Sequence, residues 1–427
     1  MAVAHRIARA WVSTGGTGAQ NYDEFADDAE ITAIVAGNPA SALAVEMPHR
    51  APESVGVPFA QALPAAVERL AALKAAGRFA PAEDVAVVYR ISGPAGTAYG
   101  LFCMVDTDQI STSAGEPGLV IRNEDVFIDK VRERVALAHA TGHLLSPVLL
   151  LQTGRGEELH SALAAAADRL GAPAVADTDQ AGRVHEVWPV GDADELLALA
   201  GGGELVVADG NHRSLAAQTG GLARFLAVVT TPASVTIQPY NRLVAEPPMT
   251  AAELPARLAA LGAEVVELPG RPEVPAEGGT IHLYAEGSAF AVRLPVPPGT
   301  EGVDRLDHAL VERILFNDVL GLDAGDKRIT YVGGDYPASW LCDQVDAGRA
   351  ALAVLVAPVT VADFVAVNLA RHRMPRKSTW FTPKARAGLV VAEMGPSGRE
   401  RQERPSGRER QDRPAAGSGR TAAEVTP

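Results

Sequence analysis

The stretch VVADGNHRSLAAQ, residues 206–218, decides the fold of this chain. Val206, Val207 and Ala208 are typical of the end of a buried strand, whereas the residues from Ser214 onward have the composition of a helix. The polar and small residues between them are therefore predicted to form a strand-to-helix turn. In open α/β folds, ligands bind at the carboxyl ends of strands. We expect this turn to face a ligand.

The composition describes an acidic globular chain. It has 427 residues, with 52 Asp and Glu against 38 Lys and Arg, and a formal net charge of −14. Binding along a nucleic-acid backbone needs many cations, so no nucleic-acid partner is expected. The two cysteines are too few for a disulfide framework and favour a reducing, cytoplasmic location. The most apolar stretch, residues 351–370, is interrupted by Pro358 and Asp363, so we expect no membrane span.

Segments with strand and helix patterns alternate along the chain, which indicates an α/β (α+β) fold. Residues 1–245 are predicted to be an α/β domain that carries the turn, and residues 246–330 a smaller α+β subdomain. Residues 331–395 are predicted to be a C-terminal segment that packs at the site. Residues 396–427 contain PSGRERQ twice and few apolar residues, which predicts a disordered Arg/Glu/Pro tail.

The turn contains several groups that suit an anionic ligand. Gly210 permits a sharp bend, and a helix that begins near Asn211 would point its free N–H groups and positive dipole end at the ligand. Arg213 could bind a phosphate in bidentate fashion, and His212 could move a proton. Asp209 could cap the helix, bind Mg²⁺ or act as a base. The alternative is a structural turn with an Arg–Asp pair and a hydrogen-bonded histidine.

A second polar cluster is MPRKSTWFTPKARAGL, residues 374–389. Several cations lie in or beside it: Arg373, Arg376, Lys377, Lys384 and Arg386. Cations near Ser378 and Thr379 suit an anionic ligand, and Trp380 or Phe381 could stack on a base. The alternative is a surface loop with solvated cations, in which Trp380 anchors the segment in the core.

Glu124 lies in the segment IRNEDVFIDK, residues 121–130, just before a predicted helix. Acidic residues are favoured at such positions by the helix dipole alone. Glu124 becomes a candidate general base if the fold brings it to the ligand.

The segments ADGNHR, PYNR, PVTVADF and MPRKSTWFTPK resemble a bacterial family catalogued as a domain of unknown function, over about residues 22–391. Its members carry A-D-G-H-H-R, a P-T-H-R-L-like segment and M-P-x-K-S-T-x-F-x-P-K. That family is similar to the ParB/sulfiredoxin superfamily, which includes free serine kinases. The resemblance implies a mixed-sheet ParB/sulfiredoxin-like core and nucleotide binding at the residues Asp209, Gly210, His212 and Arg213.

Three asparagines stand where that family has histidines: Asn123, Asn211 and Asn241, the last of which precedes Arg242. Asparagine forms hydrogen bonds but cannot move a proton at neutral pH. Acid or base roles for the family histidines are thus not expected here, and the substrate can differ. Sulfiredoxin chemistry is not expected either, because Asn211 occupies the position of its cysteine.

These observations favour a kinase that transfers a phosphoryl group from ATP or ADP to the hydroxyl of a small substrate, such as free L-serine or a related amino acid. The predicted catalytic residues are Glu124, Asp209 and His212, with Asp209 also binding Mg²⁺. The predicted nucleotide-binding residues are Gly210, Asn211, His212, Arg213, Arg242, Lys377, Ser378 and Thr379. The alternatives are a nucleotide-binding switch without catalysis and a scaffold with a vestigial pocket. The oligomeric state stays open.

Overall fold

The computed structural model describes residues 3–25, 27–111, 118–124, 126–323 and 325–395. Strands and helices of the described residues alternate, as predicted, in a mixed α/β fold. Residues 1–394 form one compact unit. The predicted disordered tail, residues 396–427, lies outside the described residues. In the part of the chain that is described, no helix combines the length and the apolar character needed to cross a bilayer.

The secondary-structure elements are numbered along the described residues. The strands are β1 (Ala4–His5), β2 (Ile7–Ser13), β3 (Phe79–Gly93), β4 (Gly96–Asp106), β5 (Val120–Ile121), β6 (His143–Leu144), β7 (Val148–Gln152), β8 (Val175–Thr178), β9 (Val184–Val190), β10 (Leu205–Asp209), β11 (Arg224–Thr230), β12 (Thr236–Gln238), β13 (Tyr240–Val244), β14 (Glu264–Leu268), β15 (Ile281–Ala285), β16 (Ser288–Arg293), β17 (Ile329–Gly333), β18 (Leu352–Leu355), β19 (Trp380–Thr382) and β20 (Val390–Glu393). The α-helices are α1 (Asp28–Gly37), α2 (Leu43–Glu46), α3 (Phe59–Ala75), α4 (Ile128–Thr141), α5 (Gly156–Arg169), α6 (Asp194–Ala200), α7 (Asn211–Thr219), α8 (Leu254–Ala260), α9 (Asp307–Leu310), α10 (Ala338–Asp346) and α11 (Val361–Leu369). A π-helix, Val311–Val319, follows α9 directly.

The larger sheet has the strand order β5-β10-β7-β11-β4-β3-β2-β20-β6, with β1 beside β4 and β9 between β3 and β8. It is a mixed sheet, since β10 runs parallel to β5 and antiparallel to β7, and β7 runs parallel to β11. Leu205, Val206 and Val207 of β10 are fully buried, as expected for a strand covered on both faces. The predicted strand end and helix start on either side of Gly210 are confirmed.

A smaller antiparallel sheet has the order β14-β16-β15-β18-β13-β17. The apolar side chains of α8 and the π-helix pack with one group of its buried residues, and those of α10 pack with another. Its strands β13 and β18 lie outside the range 246–330 expected for the smaller subdomain. The apolar stretch 351–370, which Pro358 and Asp363 interrupt, contains β18 and α11.

The segment 374–389 contains β19, which pairs with β12 in a separate two-stranded sheet. It is followed by β20, which pairs with β2 of the larger sheet. Trp380 is buried, with its ring 5.4 Å from that of Tyr240, and Phe381 is buried against Phe364. Base stacking by Trp380 or Phe381 is therefore not available, because both rings are core anchors. Trp380 therefore anchors the segment in the core, as the alternative prediction stated.

Candidate active site

The turn after β10 depends on a glycine. Gly210 has a φ of 96°, in the left-handed region that side-chain-bearing residues rarely adopt. A Cβ at this position would lie 3.0 Å from Arg213 Nε and 3.2 Å from Val148 Cα. Gly210 is the N-cap residue of α7, and no side chain caps the helix. The first N–H groups of α7 and its positive dipole end are therefore available to an anion.

A cavity opens at this turn. It is lined by Asp23, Glu124, Ala208, Asp209, Gly210, Asn211, His212, Tyr240, Lys377, Thr379 and Lys384. The 374–389 segment and the turn, which are far apart in the sequence, thus meet around one space. The cavity volume is about 20 Å³, enough for about one water molecule or a small ion by the size of a water-sized sphere. In this conformation it has room for part of a phosphate group but not for a whole nucleotide.

Two partly buried lysines supply the positive charge of the cavity. Lys384 Nζ donates to Asp209 Oδ1 at 2.9 Å, and Lys377 Nζ lies 5.5 Å from the centre of the Tyr240 ring. Burial acts to lower the pKa of each lysine, but neighbouring acids outweigh it and raise the pKa: Tyr240 and Glu124 for Lys377, and Asp209 for Lys384. Both ammonium groups are therefore charged at neutral pH.

The carboxyl groups of the cavity differ from one another. Burial acts to raise the pKa of Asp23 and Asp209, but nearby cations, Lys384 among them, lower both below their ordinary value. Burial raises the pKa of Glu124, with Lys377 acting in the opposite direction. Glu124 Oε2 also accepts the backbone N–H of Lys377 at 3.0 Å. A carboxylate with a raised pKa is a better proton acceptor, which suits Glu124 to general-base catalysis.

Arg213 does not line this cavity. Its buried guanidinium forms an ion pair with Asp209 through Nη2 and donates from Nη1 to Asn21 Oδ1, at 3.1 Å, and to Pro147 O. A buried carboxylate without a partner is strongly destabilising, and Arg213 is within reach one helical turn away. The predicted direct contact of Arg213 with phosphate is corrected: Arg213 holds Asp209 in place.

His212 lines the cavity as a neutral ring. Its Nε2 accepts the backbone N–H of Phe127 at 3.1 Å, which leaves the proton on Nδ1. Burial lowers the pKa of His212 to about 4, with Asp23 opposing and Lys377 reinforcing the effect. The predicted proton-transfer role of His212 is therefore corrected to that of a hydrogen-bond donor at neutral pH.

Two of the three asparagines, Asn211 and Asn241, use their side-chain oxygens as hydrogen-bond acceptors within the fold. Asn211 Oδ1 accepts the backbone N–H of Asn123 at 3.3 Å, which holds the segment before Glu124 against the start of α7. Asn241 Oδ1 accepts the backbone N–H of Val356 at 3.0 Å, inside the smaller sheet. Asn211 also lines the cavity, as expected for a ligand-binding residue.

Two predicted nucleotide-binding residues are not part of the cavity. Ser378 is fully buried, and its neighbour Thr379 lines the cavity instead. Arg242 is fully buried in β13, where it donates to Tyr240 O and lies 3.4 Å from Glu312 Oε1. Both predictions are corrected, because the side chains of Ser378 and Arg242 are fully buried and do not line the cavity.

The environment of Asp209 does not fit a metal ion. Its Oδ1 accepts from Lys384 and its Oδ2 from Arg213, so both oxygens already face cations. Among the described residues, no group of three or more His, Cys, Asp or Glu side chains is arranged to hold a metal. Asp209 as placed here has no free oxygen to offer Mg²⁺, so no step of the reaction is assigned to this metal.

Residues 17–309, more than half of the chain, match a sequence family described as a protein of unknown function, DUF1015. The chain belongs to the DUF1015 family. No curated protein matches its sequence.

Solved structures with partial likeness to this DUF1015 chain include a free serine kinase in complex with AMP, at 13% identity and a TM-score of 0.36, covering 66% of this chain and 87% of that one. A conserved hypothetical protein from Pyrococcus furiosus has 13% identity and a TM-score of 0.36, covering 67% and 95%. A C-terminally truncated SbnI from Staphylococcus aureus has 14% identity and a TM-score of 0.36, covering 68% and 87%. At these values the likeness carries no functional conclusion.

Three polar residues that line the cavity of this DUF1015 protein were not among the predicted site residues: Asp23, Tyr240 and Lys384. Lys384 belongs to the cation cluster that the sequence singled out, and Tyr240 belongs to the PYNR segment. Their position in those segments is the signal that could have identified them. Asp23 carries no such signal, since it comes to the cavity from a loop before α1.

Proposed function

We propose that the protein is a kinase that transfers a phosphoryl group from ATP or ADP to the hydroxyl of a small substrate, such as free L-serine or a related amino acid. One observation carries the proposal: two charged, partly buried lysines, an uncapped helix start and a carboxyl group with a raised pKa face the same cavity. Phosphoryl transfer requires mainly the positioning and neutralisation of negative charge, together with a proton acceptor.

The terminal phosphate would occupy the cavity. The N–H groups of Asn211 and His212 at the start of α7 and the ammonium groups of Lys377 and Lys384 would stabilise its oxygens. Since the cavity holds about 20 Å³, the mouth must widen or the rest of the nucleotide must remain outside it. Asp209, held by Arg213, would keep Lys384 in position.

Glu124 is the proposed general base. The substrate hydroxyl would lose its proton to the carboxylate of Glu124 as its oxygen forms a bond to the terminal phosphorus. The bond between that phosphorus and the bridging oxygen breaks, and ADP or AMP leaves with the electron pair. The backbone N–H of Lys377 holds Glu124 Oε2, which leaves the other oxygen to accept the proton.

The test incubates the full-length protein with L-serine and either ATP or ADP, with and without Mg²⁺, and measures phosphoserine by mass spectrometry. We expect product from the natural protein and a loss of about 100-fold or more in Glu124→Gln, on the scale of general-base catalysis. The matched control is Asp129→Asn, an exposed acid at the start of α4, which should leave the rate unchanged. Product formation that survives in Glu124→Gln contradicts the assignment of the base.

A second candidate is a nucleotide-binding switch without catalysis. It is favoured by the fact that His212 Nε2 and both oxygens of Asp209 already have partners, which leaves Glu124 as the one proton acceptor among the three predicted catalytic residues. Nucleotide should raise the melting temperature under either hypothesis. Binding without turnover of any amino acid in the assay supports the switch.

The proposed substrates and the two free cysteine thiols favour the same cellular compartment. Cys103 and Cys342 are both unpaired and buried, as is typical of proteins in a reducing compartment. We therefore propose a cytoplasmic protein that meets its nucleotide and a small-molecule substrate there.

A further inference from the structure

A second cavity lies on the other side of Arg213, between α4 and α7, and has a volume of about 60 Å³. This is room for about four to six groups of the size of a water molecule. Most of its wall is apolar and includes Leu137, Ala138, Leu145, Ala216, Ala217 and Phe225. A largely apolar wall of this kind suits a small aliphatic group.

One end of the cavity is polar and contains Arg134, which is 6% exposed. Its guanidinium carbon lies 4.1 Å from the centre of the Tyr22 ring and 5.2 Å from that of Phe59, and its Nη2 lies 3.7 Å from the sulfur of Met47. Within the described residues, its Nε and Nη1 have no hydrogen-bond partner. Buried donors without partners are rare and are commonly explained by a bound water or ligand.

Glu46 contributes an acid to the same end. It is 3% exposed, its Oε1 accepts from the hydroxyl of Ser146, and its Oε2 has no partner among the described residues. Arg134 and Glu46 both line the cavity, but neither side chain forms an ion pair within the described residues. A guanidinium and a buried carboxyl group that face one space without touching leave room for a group that carries both an acceptor and a donor.

We propose that this cavity is a binding site for a small carboxylic acid with a hydroxyl or ammonium group on its chain. The carboxylate would accept the free N–H groups of Arg134, and the donor group would meet Glu46 Oε2. The aliphatic part would contact the wall at Leu137 and Phe225. The site is separate from the candidate active site because Arg213 stands between them, so it does not depend on the proposed kinase activity.

The experiment compares propionate, L-lactate, L-alanine and propanol as ligands of the full-length protein by calorimetry and ligand-observed NMR. These probes share a size and differ in one group each. We expect saturable binding of the three acids, no binding of propanol, and affinities for lactate or alanine about fivefold above that for propionate, the scale of one added hydrogen bond. Failure of every acid to saturate overturns the proposal.

Three variants locate the site. Arg134→Gln should lower the affinity for the acids by about tenfold or more, as expected when one partner of a buried charge pair is removed. Arg132→Gln, at an exposed position on the same helix, should leave the affinity unchanged. Ala138→Leu fills the cavity and should abolish binding even if Arg134→Gln does not fold. Glu46→Gln retains the acceptor for Ser146 and should weaken L-alanine more than propionate. Unchanged binding in Ala138→Leu contradicts the site.

Discussion

The buried guanidinium of Arg213 and the partly buried carboxylate of Asp209 form an ion pair next to the bend at Gly210. The pair fixes the orientation of the carboxylate, whose other oxygen accepts from Lys384 at 2.9 Å. The cation of the turn therefore acts on the cavity through Asp209 rather than by touching a ligand. This arrangement connects the stability of the turn with the position of one of the two cavity lysines.

Removal of Arg213 should destabilise the protein strongly. Arg213→Ala leaves Asp209 buried with one cation fewer, so we expect the free energy of unfolding to fall by about 3–5 kcal/mol. Urea denaturation followed by circular dichroism measures it. The control, Arg155→Ala, breaks an exposed pair with Glu158 and should change stability by about 0–1 kcal/mol. Similar losses in the two variants would contradict the structural role of Arg213.

Gly210→Ala should be more harmful than alanine at a comparable glycine. Both Gly210, with a φ of 96°, and Gly171, with a φ of 72°, have left-handed backbones, but a Cβ at Gly171 meets no atom within 4 Å. We expect a loss of about 1–2 kcal/mol at Gly171 from the backbone alone and a larger loss at Gly210. Thermal denaturation of the two variants makes the comparison. Equal losses would show that the contact with Arg213 is easily relieved.

The stability should depend on pH through Glu24. Burial raises the pKa of this carboxyl from 4.5 to about 7, with Lys384 opposing the effect. Because the folded state holds the proton of Glu24 more tightly than the unfolded state does, protonated Glu24 stabilises the folded protein fully below about pH 4.5. This stabilisation is lost as the pH rises through about 7. The loss is on the order of 3 kcal/mol if the shift is fully expressed.

Glu24→Gln tests this dependence. Glutamine retains an acceptor for the backbone N–H of Asn21, which Glu24 Oε1 binds at 2.9 Å. The variant should gain stability relative to the natural protein as the pH rises from about 4.5 to above 7, as measured by urea denaturation at each pH. A constant difference between the two proteins across that range would exclude Glu24 as the titrating group.

The neutral state of His212 can be observed directly. Its pKa, lowered by burial to about 4, lies below the ordinary 6.5. The pH dependence of stability that His212 causes is opposite to that of Glu24. Neutral His212 stabilises the folded protein fully above pH 6.5, and this stabilisation is lost as the pH falls through about 4. Nitrogen NMR should show a ring protonated at Nδ1 alone near pH 6, with the resonance assigned by its absence in His212→Asn. A charged ring at that pH would contradict the assigned hydrogen bond from Phe127.

The turn could be predicted from the sequence because its causes are local. A buried strand, a glycine and a helical segment follow one another within residues 206–218, and the structure has them at those positions. Trp380 also shows why composition is ambiguous: the same residue suited base stacking and core packing. Burial against Tyr240 decides for the core, and burial depends on the whole fold.

The site as a whole could not be predicted, because tertiary packing decides which residues of the PYNR and 374–389 segments face the cavity, and Asp23 reaches it from a segment without a sequence signal. The guanidinium of Arg213 could bind either a phosphate of the ligand or the carboxylate of Asp209, which lies one helical turn away. The sequence shows both partners but not the burial that makes the internal pair prevail.

The most direct test of the central claim, that phosphate groups bind between Lys377, Lys384 and the start of α7, is calorimetric titration of ATP and ADP into the natural protein and three variants. Lys377→Gln and Lys384→Gln should each lower the affinity for the nucleotide by about tenfold or more, the scale of a lost charged contact. Lys327→Gln, at an exposed lysine, should bind as the natural protein does. Unchanged affinity in both cavity variants, with each shown to be folded by circular dichroism, would contradict the account.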